Sequence, residues 1–281
     1  MNDLFSVIIV TYNNSRFLRG CIDSVLKQDY PNMEIIIADD HSEEFNCREF
    51  ESYCLENRAA NVSRVLVYQN ERNLGTVRNI NRALEQAEGQ YFKVFAGDDE
   101  LADKKSLTNA VHALLQSPDG IITSDVIKCD PEMNVLGIYS NRLLSRLNTM
   151  SPEECFAWLC VHNDIVDGGV FFTRGFLDRF GPFDESYILL EDWPMWLKVF
   201  QEGARIRYSG FPAIKYRTNV GFGTSVNPVY LADKKLVLEK VIIPSRKELG
   251  FRNYIKARLS FMLINSILIR RIYGMIFRRS R

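Results

Sequence analysis

Metal-cage and phosphate-loop signatures are both missing from this chain. Its 281 residues hold six cysteines and three histidines, and no two cysteines form a C-x-x-C pair. That spacing argues against a zinc site. No G-x-G-x-x-G follows the first apolar run, where Tyr12-Asn13-Asn14-Ser15 stands instead, so a dinucleotide site is not expected. The G-x-x-x-x-G-K-[ST] loop and the G-x-S-x-G elbow are absent too, which excludes a P-loop and removes the usual sign of an esterase. Phosphates, if bound, fall to a metal rather than to a glycine loop. There is no repeat or low-complexity stretch. The opening Met1-Asn2-Asp3-Leu4 has no basic segment before the apolar run, so no signal peptide is expected. Cys21, Cys47, Cys54, Cys129, Cys155 and Cys160 are accordingly read as reduced and buried, in a cytoplasmic protein.

What is present is ordinary globular composition, 46% hydrophobic and 25% charged. The formal net charge is zero, but unevenly spread. Residues 246–281 hold ten Lys/Arg and one acid, Glu248, which leaves 25 basic against 34 acidic residues in the first 245. A basic tail on an acidic body suggests an anionic partner for the tail.

Short apolar runs alternate with amphipathic stretches. Strands are expected at Ser6–Thr11, Ile35–Ala38, Val62–Tyr68 and Tyr91–Ala96, with helices at Arg16–Gln28 capped by Ser15, within Asn46–Arg58, and at Thr76–Ala87. That β-α-β-α-β-α-β order predicts an α/β fold with a mostly parallel sheet and right-handed crossovers. Further on, helices are expected at Lys104–Gln116, at about Pro152–Val161 behind a Ser151 cap, and from Glu191 to Glu202. Strands are expected at Gly120–Lys128 and Asp167–Phe172.

Two aspartate pairs follow directly on strands. Asp39-Asp40 ends the second run, and Asp98-Asp99-Glu100 follows the fourth. In open parallel sheets, ligands bind at the carboxyl ends of strands. Asp39-Asp40 reads equally as a helix cap or turn and as a ligand site, where a carboxylate accepts a uracil imide N–H or ribose hydroxyls. Adjacent acids after a buried strand are costly without a cation, so Asp98-Asp99 suits Mg2+ or Mn2+, which take one or two carboxylates plus substrate phosphates. The alternative is a solvated turn. Asn73-Leu74-Gly75 with Arg78 and Asn79 reads by itself as a turn and an exposed helix face; the functional alternative brings Arg78 to a nucleotide. Glu191-Asp192 is either an acidic first helical turn favoured by the helix dipole or the seat of a general base.

Taken in order, Ser6-Val7-Ile8-Ile9-Val10-Thr11-Tyr12-Asn13, Ala38-Asp39-Asp40-His41-Ser42, Asn73-Leu74-Gly75 with Arg78-Asn79, Gly89-Gln90-Tyr91, Gly97-Asp98-Asp99 and Glu191-Asp192 resemble the family 2 glycosyltransferases of the GT-A fold, over roughly residues 4 to 220. The resemblance implies inverting, metal-dependent glycosyl transfer from a UDP-sugar to a saccharide or lipid-linked saccharide, as in bacterial surface polysaccharide assembly. It implies that Asp39 holds uracil, that Thr11 and Tyr12 line the nucleotide pocket, and that Arg78 lies near the nucleotide. Asp98 and Asp99 match the acidic element, one reaching ribose or metal and the other ligating Mn2+ or Mg2+. Asp192 matches the catalytic base. Gly169, in the Gly168-Gly169 pair, matches a position beside the sugar, and Lys215-Tyr216-Arg217 with Val220–Gly223 matches a closing loop. Three positions depart from the pattern. His41 stands where glycine is common, Ala96 where an aspartate often stands, and Thr218-Asn219 where a histidine ligand is sometimes found.

The expected organisation is a GT-A domain over residues 1–225, with a nucleotide-sugar half at 1–120 and an acceptor half at 121–225, then a helical basic tail at 226–281. Leu259–Ile269 is an apolar run of about eleven residues flanked by Lys256, Arg258, Arg270 and Arg271. That is short of the roughly twenty residues of a spanning helix. It reads as an amphipathic helix on an anionic membrane surface, peripheral on the inner face of the cell membrane; the alternative is a helix packed on the domain. No nucleic-acid partner is expected, because the basic residues interleave with aliphatics rather than aromatics. Two rival functions remain: a sugar-nucleotide nucleotidyltransferase, which would normally carry a glycine-rich, lysine-bearing first loop, and a non-catalytic UDP-binding membrane module.

Overall fold

A computed structural model describes residues 2–139, 143–218, 220 and 227–265, the side chains of 263–265 excepted. The glycine-rich part of the expected closing loop, and the basic end of the tail from residue 266, lie outside the described residues. Strands run β1 (Phe5–Thr11), β2 (Met33–Asp39), β3 (Val62–Gln69), β4 (Tyr91–Ala96), β5 (Glu100–Leu101), β6 (Ile121–Cys129), β7 (Val135–Tyr139), β8 (Val170–Thr173) and β9 (Arg207–Arg217). Helices run α1 (Ser15–Leu26), α2 (Cys47–Asn57), α3 (Thr76–Gln86), α4 (Ser106–Leu114), α5 (Pro152–Leu159), α6 (Arg174–Phe180), α7 (Asp192–Gln201), α8 (Pro228–Val237) and α9 (Arg246–Asn265), the last broken at Gly250.

One sheet has the order β3-β2-β1-β4-β8-β6-β9-β5, with β7 beside β6. Its first four strands are parallel, as their alternation with helices predicts. The second half is mixed: β8 is antiparallel to β4 and to β6, while β9 is parallel to β6. Strand side chains alternate between two cores. Phe5, Val7 and Ile9 face α1, α2 and α4, whereas Ile8 faces the side holding α3, α5, α6 and α7. The described part of the tail joins that second core through Val237, Ile242, Leu249, Ala257 and Phe261, and Phe261 stacks on Trp193 of α7 at 5.6 Å between centroids.

Local signals largely hold. Ser151 and Glu154 form the reciprocal capping box that starts α5, with Pro152 in its first turn. Two local expectations need correction. Ser15 is the first helical residue rather than the cap; Asn14 occupies the cap position and makes no capping bond. All six cysteines are unpaired, but Cys47 is only half-buried, at the start of α2.

Candidate functional site

The register sets the crevice. Thr11 pairs with Asp39, and Val10 with Ala96, so β1, β2 and β4 deliver Thr11, Asp39 and the residues after Ala96 to one sheet end. Asp39 is fully buried, and its carboxylate accepts the Ser42 N–H at 2.7 Å, the Ser42 hydroxyl at 2.5 Å and Gln69 Nε2 at 2.9 Å. A carboxylate has about four acceptor sites, so this one is locked in orientation with capacity for a ligand. Thr11 Oγ1 is buried without a hydrogen-bond partner among the described residues, the condition that marks a group awaiting water or ligand. Tyr12 follows it, half-buried.

Asp40 has a different task. It accepts Leu74 N–H at 2.8 Å, Gly75 N–H at 2.9 Å and Asn70 Nδ2 at 3.0 Å, tying the Asn73-Leu74-Gly75 turn to the end of β2. His41 takes φ = +69°, the left-handed region where glycine is the usual occupant and His is enriched among the exceptions. The backbone path is thus the one a glycine would take, steadied by a His41 Nδ1 contact to Asn70 O at 3.1 Å. Arg78 lies on the half-exposed face of α3 and pairs with Glu185 at 3.4 Å.

Asp98 and Asp99 are both buried. Burial pushes the Asp98 carboxyl up, against a hydrogen bond from Asn14 and the charge of Arg217. Asp99 is held well above the usual carboxylate range, first by burial and then by Asp98. Arg217, at the end of β9, gives its backbone N–H to Asp99 Oδ1 at 2.9 Å and its Nε to the Asp98 carbonyl at 2.8 Å. Its guanidinium lies 4.3 Å over the Phe17 ring and bonds the Pro131 carbonyl. Thr218 turns its hydroxyl to the Cys129 carbonyl. Among the described residues no three His, Cys, Asp or Glu side chains gather as a cage. Two buried like charges with spare acceptor capacity fit a hard cation that keeps waters and takes diphosphate oxygens.

The second acid pair opens α7. Asp192 Oδ2 accepts Asn163 Nδ2 at 2.8 Å. Burial raises the Asp192 carboxyl; Asn163, the Trp193 N–H and the charge of Lys234 oppose the rise. Glu191 is pushed well above its ordinary value by burial, then by Asp192 and Asp167. Asp167 is itself pushed up to about 6, by burial first, with Lys93 pulling down and Asp192 pushing up.

Tyr216, Tyr230 and Lys93 each feel the charge of neighbouring acids. Burial raises the Tyr216 hydroxyl, with Asp99 and Asp98 adding to the rise. Tyr230 of α8 is raised to about 12 by burial, with Asp192, Glu191 and Tyr216 adding. The fully buried Lys93 of β4 is pulled down to about 8 by burial, against the fields of Asp167 and Asp99. Its Nζ donates to the carbonyls of Gly168 at 2.7 Å, Val170 at 3.1 Å and Asp167 at 3.4 Å. Gly169 is buried against β6, where a Cβ would sit 2.5 Å from the Ser124 carbonyl oxygen; a side chain has no room there. A separate cavity, lined by Leu147, Asn148 and Arg205–Arg207, lies at the opposite end of β9 from Arg217.

Asn163, Lys93, Asp167, Tyr230 and Asp233 were not singled out from sequence. Lys93 had a signal, a lone charge inside an apolar strand, and Asp167 stood beside a double glycine. The others had none.

The chain resembles known glycosyltransferases over most of its length. It is 25% identical over 221 residues to the UDP-Glc:alpha-D-GlcNAc-diphosphoundecaprenol beta-1,3-glucosyltransferase WfaP of Escherichia coli, covering 78% of this chain and 79% of that protein. It is 23% identical over 253 residues to a PGL/p-HBAD biosynthesis glycosyltransferase of Mycobacterium bovis, covering 89% and 87%. The fold matches S. aureus TarS 1–349 in complex with UDP-GlcNAc, with a TM-score of 0.63 at 21% identity over 94% of this chain and 72% of that one. It also matches the mannosyltransferase PcManGT from Pyrobaculum calidifontis in complex with GDP-Man and Mn2+, with a TM-score of 0.59 at 17% identity over all of this chain and 81% of that one. The model of Glycosyl transferase family 2 matches residues 6–179, more than half of the chain, and with the motifs brought together at the ends of β1, β2 and β4 the chain belongs to that family.

Proposed function

We propose that this chain transfers a sugar, with inversion, from a UDP-sugar to a saccharide or lipid-linked saccharide acceptor in bacterial surface polysaccharide assembly. The observation that carries the reading is the convergence of Thr11, Asp39 and the buried Asp98-Asp99 pair at one end of the sheet, where β1 pairs with both β2 and β4. The WfaP name, a UDP-glucose-dependent enzyme acting on a lipid-linked saccharide, supports the donor and acceptor classes. The TarS complex with UDP-GlcNAc supports the nucleotide.

In this reading Asp39 accepts the uracil imide, Thr11 and Tyr12 line the base pocket, and Asp98 lies at the ribose and metal. Asp98 and Asp99 would hold Mn2+ or Mg2+, which when bound neutralises charge growing on the departing diphosphate. Gly169 lets the turn ahead of β8 press against β6 and so shape the sugar side of the cleft. Asp192 takes the acceptor's proton, a role typically worth about 10²–10⁴-fold. Burial raises both carboxyls of the pair, while Asn163 and Lys234 favour the ionised form of Asp192. The nucleotide role of Arg78 remains part of the reading; it requires release from Glu185.

The tail proposal keeps an inner-face membrane location. On α9, Phe251, Ile255, Leu259 and Met262 are exposed at helical spacing, beside Arg252 and Lys256, while Ala257 and Phe261 are buried. No helix of the described residues is long and apolar enough to cross a membrane. A panel of nucleotide sugars assayed for UDP release, with Mn2+ and Mg2+ compared, tests the whole reading. Metal-stimulated release from one UDP-sugar, raised by an acceptor, is the expected result. Nucleotide binding without turnover would favour the non-catalytic module.

A further inference from the structure

We infer that α8, the first helix of the C-terminal tail, is a working part of the catalytic site, and that Asp233 is the positioning residue that aims Asp192. This rests on the reading of Asp192 as the base. Asp233 is buried, and one of its oxygens, Oδ2, accepts three successive backbone N–H groups: Ile188 at 3.0 Å, Leu189 at 2.7 Å and Leu190 at 3.1 Å. Consecutive N–H groups converging on one point form an anion-binding concavity. Here a carboxylate 43 residues further along the chain than Leu190 fills it. The next two residues are Glu191 and Asp192, so the turn fixed by Asp233 is the stem from which the base projects.

The other side of that turn is clamped as well. Val77 N–H donates to the Ile188 carbonyl at 3.2 Å. Gly75, at φ = +85°, sits so close that a Cβ would lie 2.9 Å from that oxygen. The turn is therefore held between α3 and α8, and cannot shift without breaking one of them. Tyr230, Asp233 and Lys234 stand at i, i+3 and i+4, one face of α8. Lys234 lies 4.6 Å over the Tyr230 ring, and both act on Asp192 electrostatically. One face of α8 thus grips the turn that carries Glu191-Asp192 through Asp233, and sets Lys234 and Tyr230 beside it.

The test uses the full chain. Asp233→Ala is expected to lower kcat about 10²-fold, the cost of a misplaced catalytic group, with UDP affinity within about threefold of wild type. Asp233→Asn, whose amide oxygen still accepts, is expected to keep about a third of kcat or more. A kcat within about threefold of wild type in Asp233→Ala, while Asp192→Asn is inactive, overturns this inference alone. An active Asp192→Asn instead removes the base reading. If Asp233→Ala does not fold, Lys234→Met decides. Among the described residues, the groups acting on Asp192 include Glu191, Asp167, Asn163, Tyr230 and Lys234, and this variant removes the cation among them. The acid limb of kcat/KM should then move to higher pH by about half a unit; an unmoved limb overturns the inference.

Discussion

Lys93 Nζ donates to the Gly168 carbonyl at 2.7 Å, so β4 holds the turn that carries Asp167 and Gly169. The same ammonium reaches the Val170 and Asp167 carbonyls. It thereby fixes both ends of the turn on which Gly169 sits, in an interior where each lost partner leaves a buried carbonyl orphaned.

Lys93→Met keeps the volume and removes the donors. Losing buried hydrogen bonds costs about 1–3 kcal/mol for each group left unsatisfied, so the variant should unfold several degrees lower. It should also lose kcat, because Asp167 then faces Asp192 without a cation. Denaturant melts and steady-state kinetics on one preparation check this; an unchanged melt would contradict the bonding described.

Asp99→Asn addresses the metal. The folded state raises the Asp99 pKa, so it binds more protons than the unfolded chain between the ordinary carboxylate value and that raised value. This group's contribution is therefore most favourable below the unfolded pKa and declines as pH rises through the folded one. Without metal, Asp99→Asn should melt above wild type at neutral pH. Bound Mn2+ with UDP needs the ionised carboxylates, so the thermal shift it causes in wild type should grow with pH and be lost in the variant. Activity should fall about 10²-fold or more, as when a transition-state charge partner is removed. A metal-induced shift that survives in Asp99→Asn would take Asp99 out of the site.

The parallel half of the sheet and the placement of two acid pairs at its edge were legible in the sequence because both are local. Asp39-Asp40 and Asp98-Asp99 each end an apolar strand, and the strand-end rule carries them to one crevice. The Ser151 capping box was legible for the same reason. The remainder is set by contacts far apart in sequence. Lys93 meets Gly168 across 75 positions, Asp192 meets Asn163 across 29, and Ile188 meets Asp233 across 45. No periodicity encodes such pairings.

Gly169→Ala tests the close approach of the turn to β6. A methyl group there meets backbone rather than a movable side chain. Overpacking of this kind costs about 1–3 kcal/mol, and the displaced turn should raise the KM for donor sugar. Chemical denaturation alongside donor titration reads both; a variant indistinguishable from wild type would contradict the packing.

Phe251 is 74% exposed and Met262 63% exposed on α9. The double variant Phe251→Asp with Met262→Asp should sediment far less with anionic vesicles, because apolar burial and attraction to the surface are both lost. UDP release from a soluble acceptor assay should be unaffected. Equal sedimentation would mean that this face of α9 does not contact membrane.

The most direct measurement of the central claim is single-turnover transfer by Asp192→Asn beside its UDP affinity. The account predicts that transfer falls by about 10²–10⁴-fold, while metal-dependent UDP binding stays within about threefold of wild type. Near-normal turnover in that variant would contradict the assignment of Asp192 as the base and, with it, the convergence of the two acid pairs on one reaction.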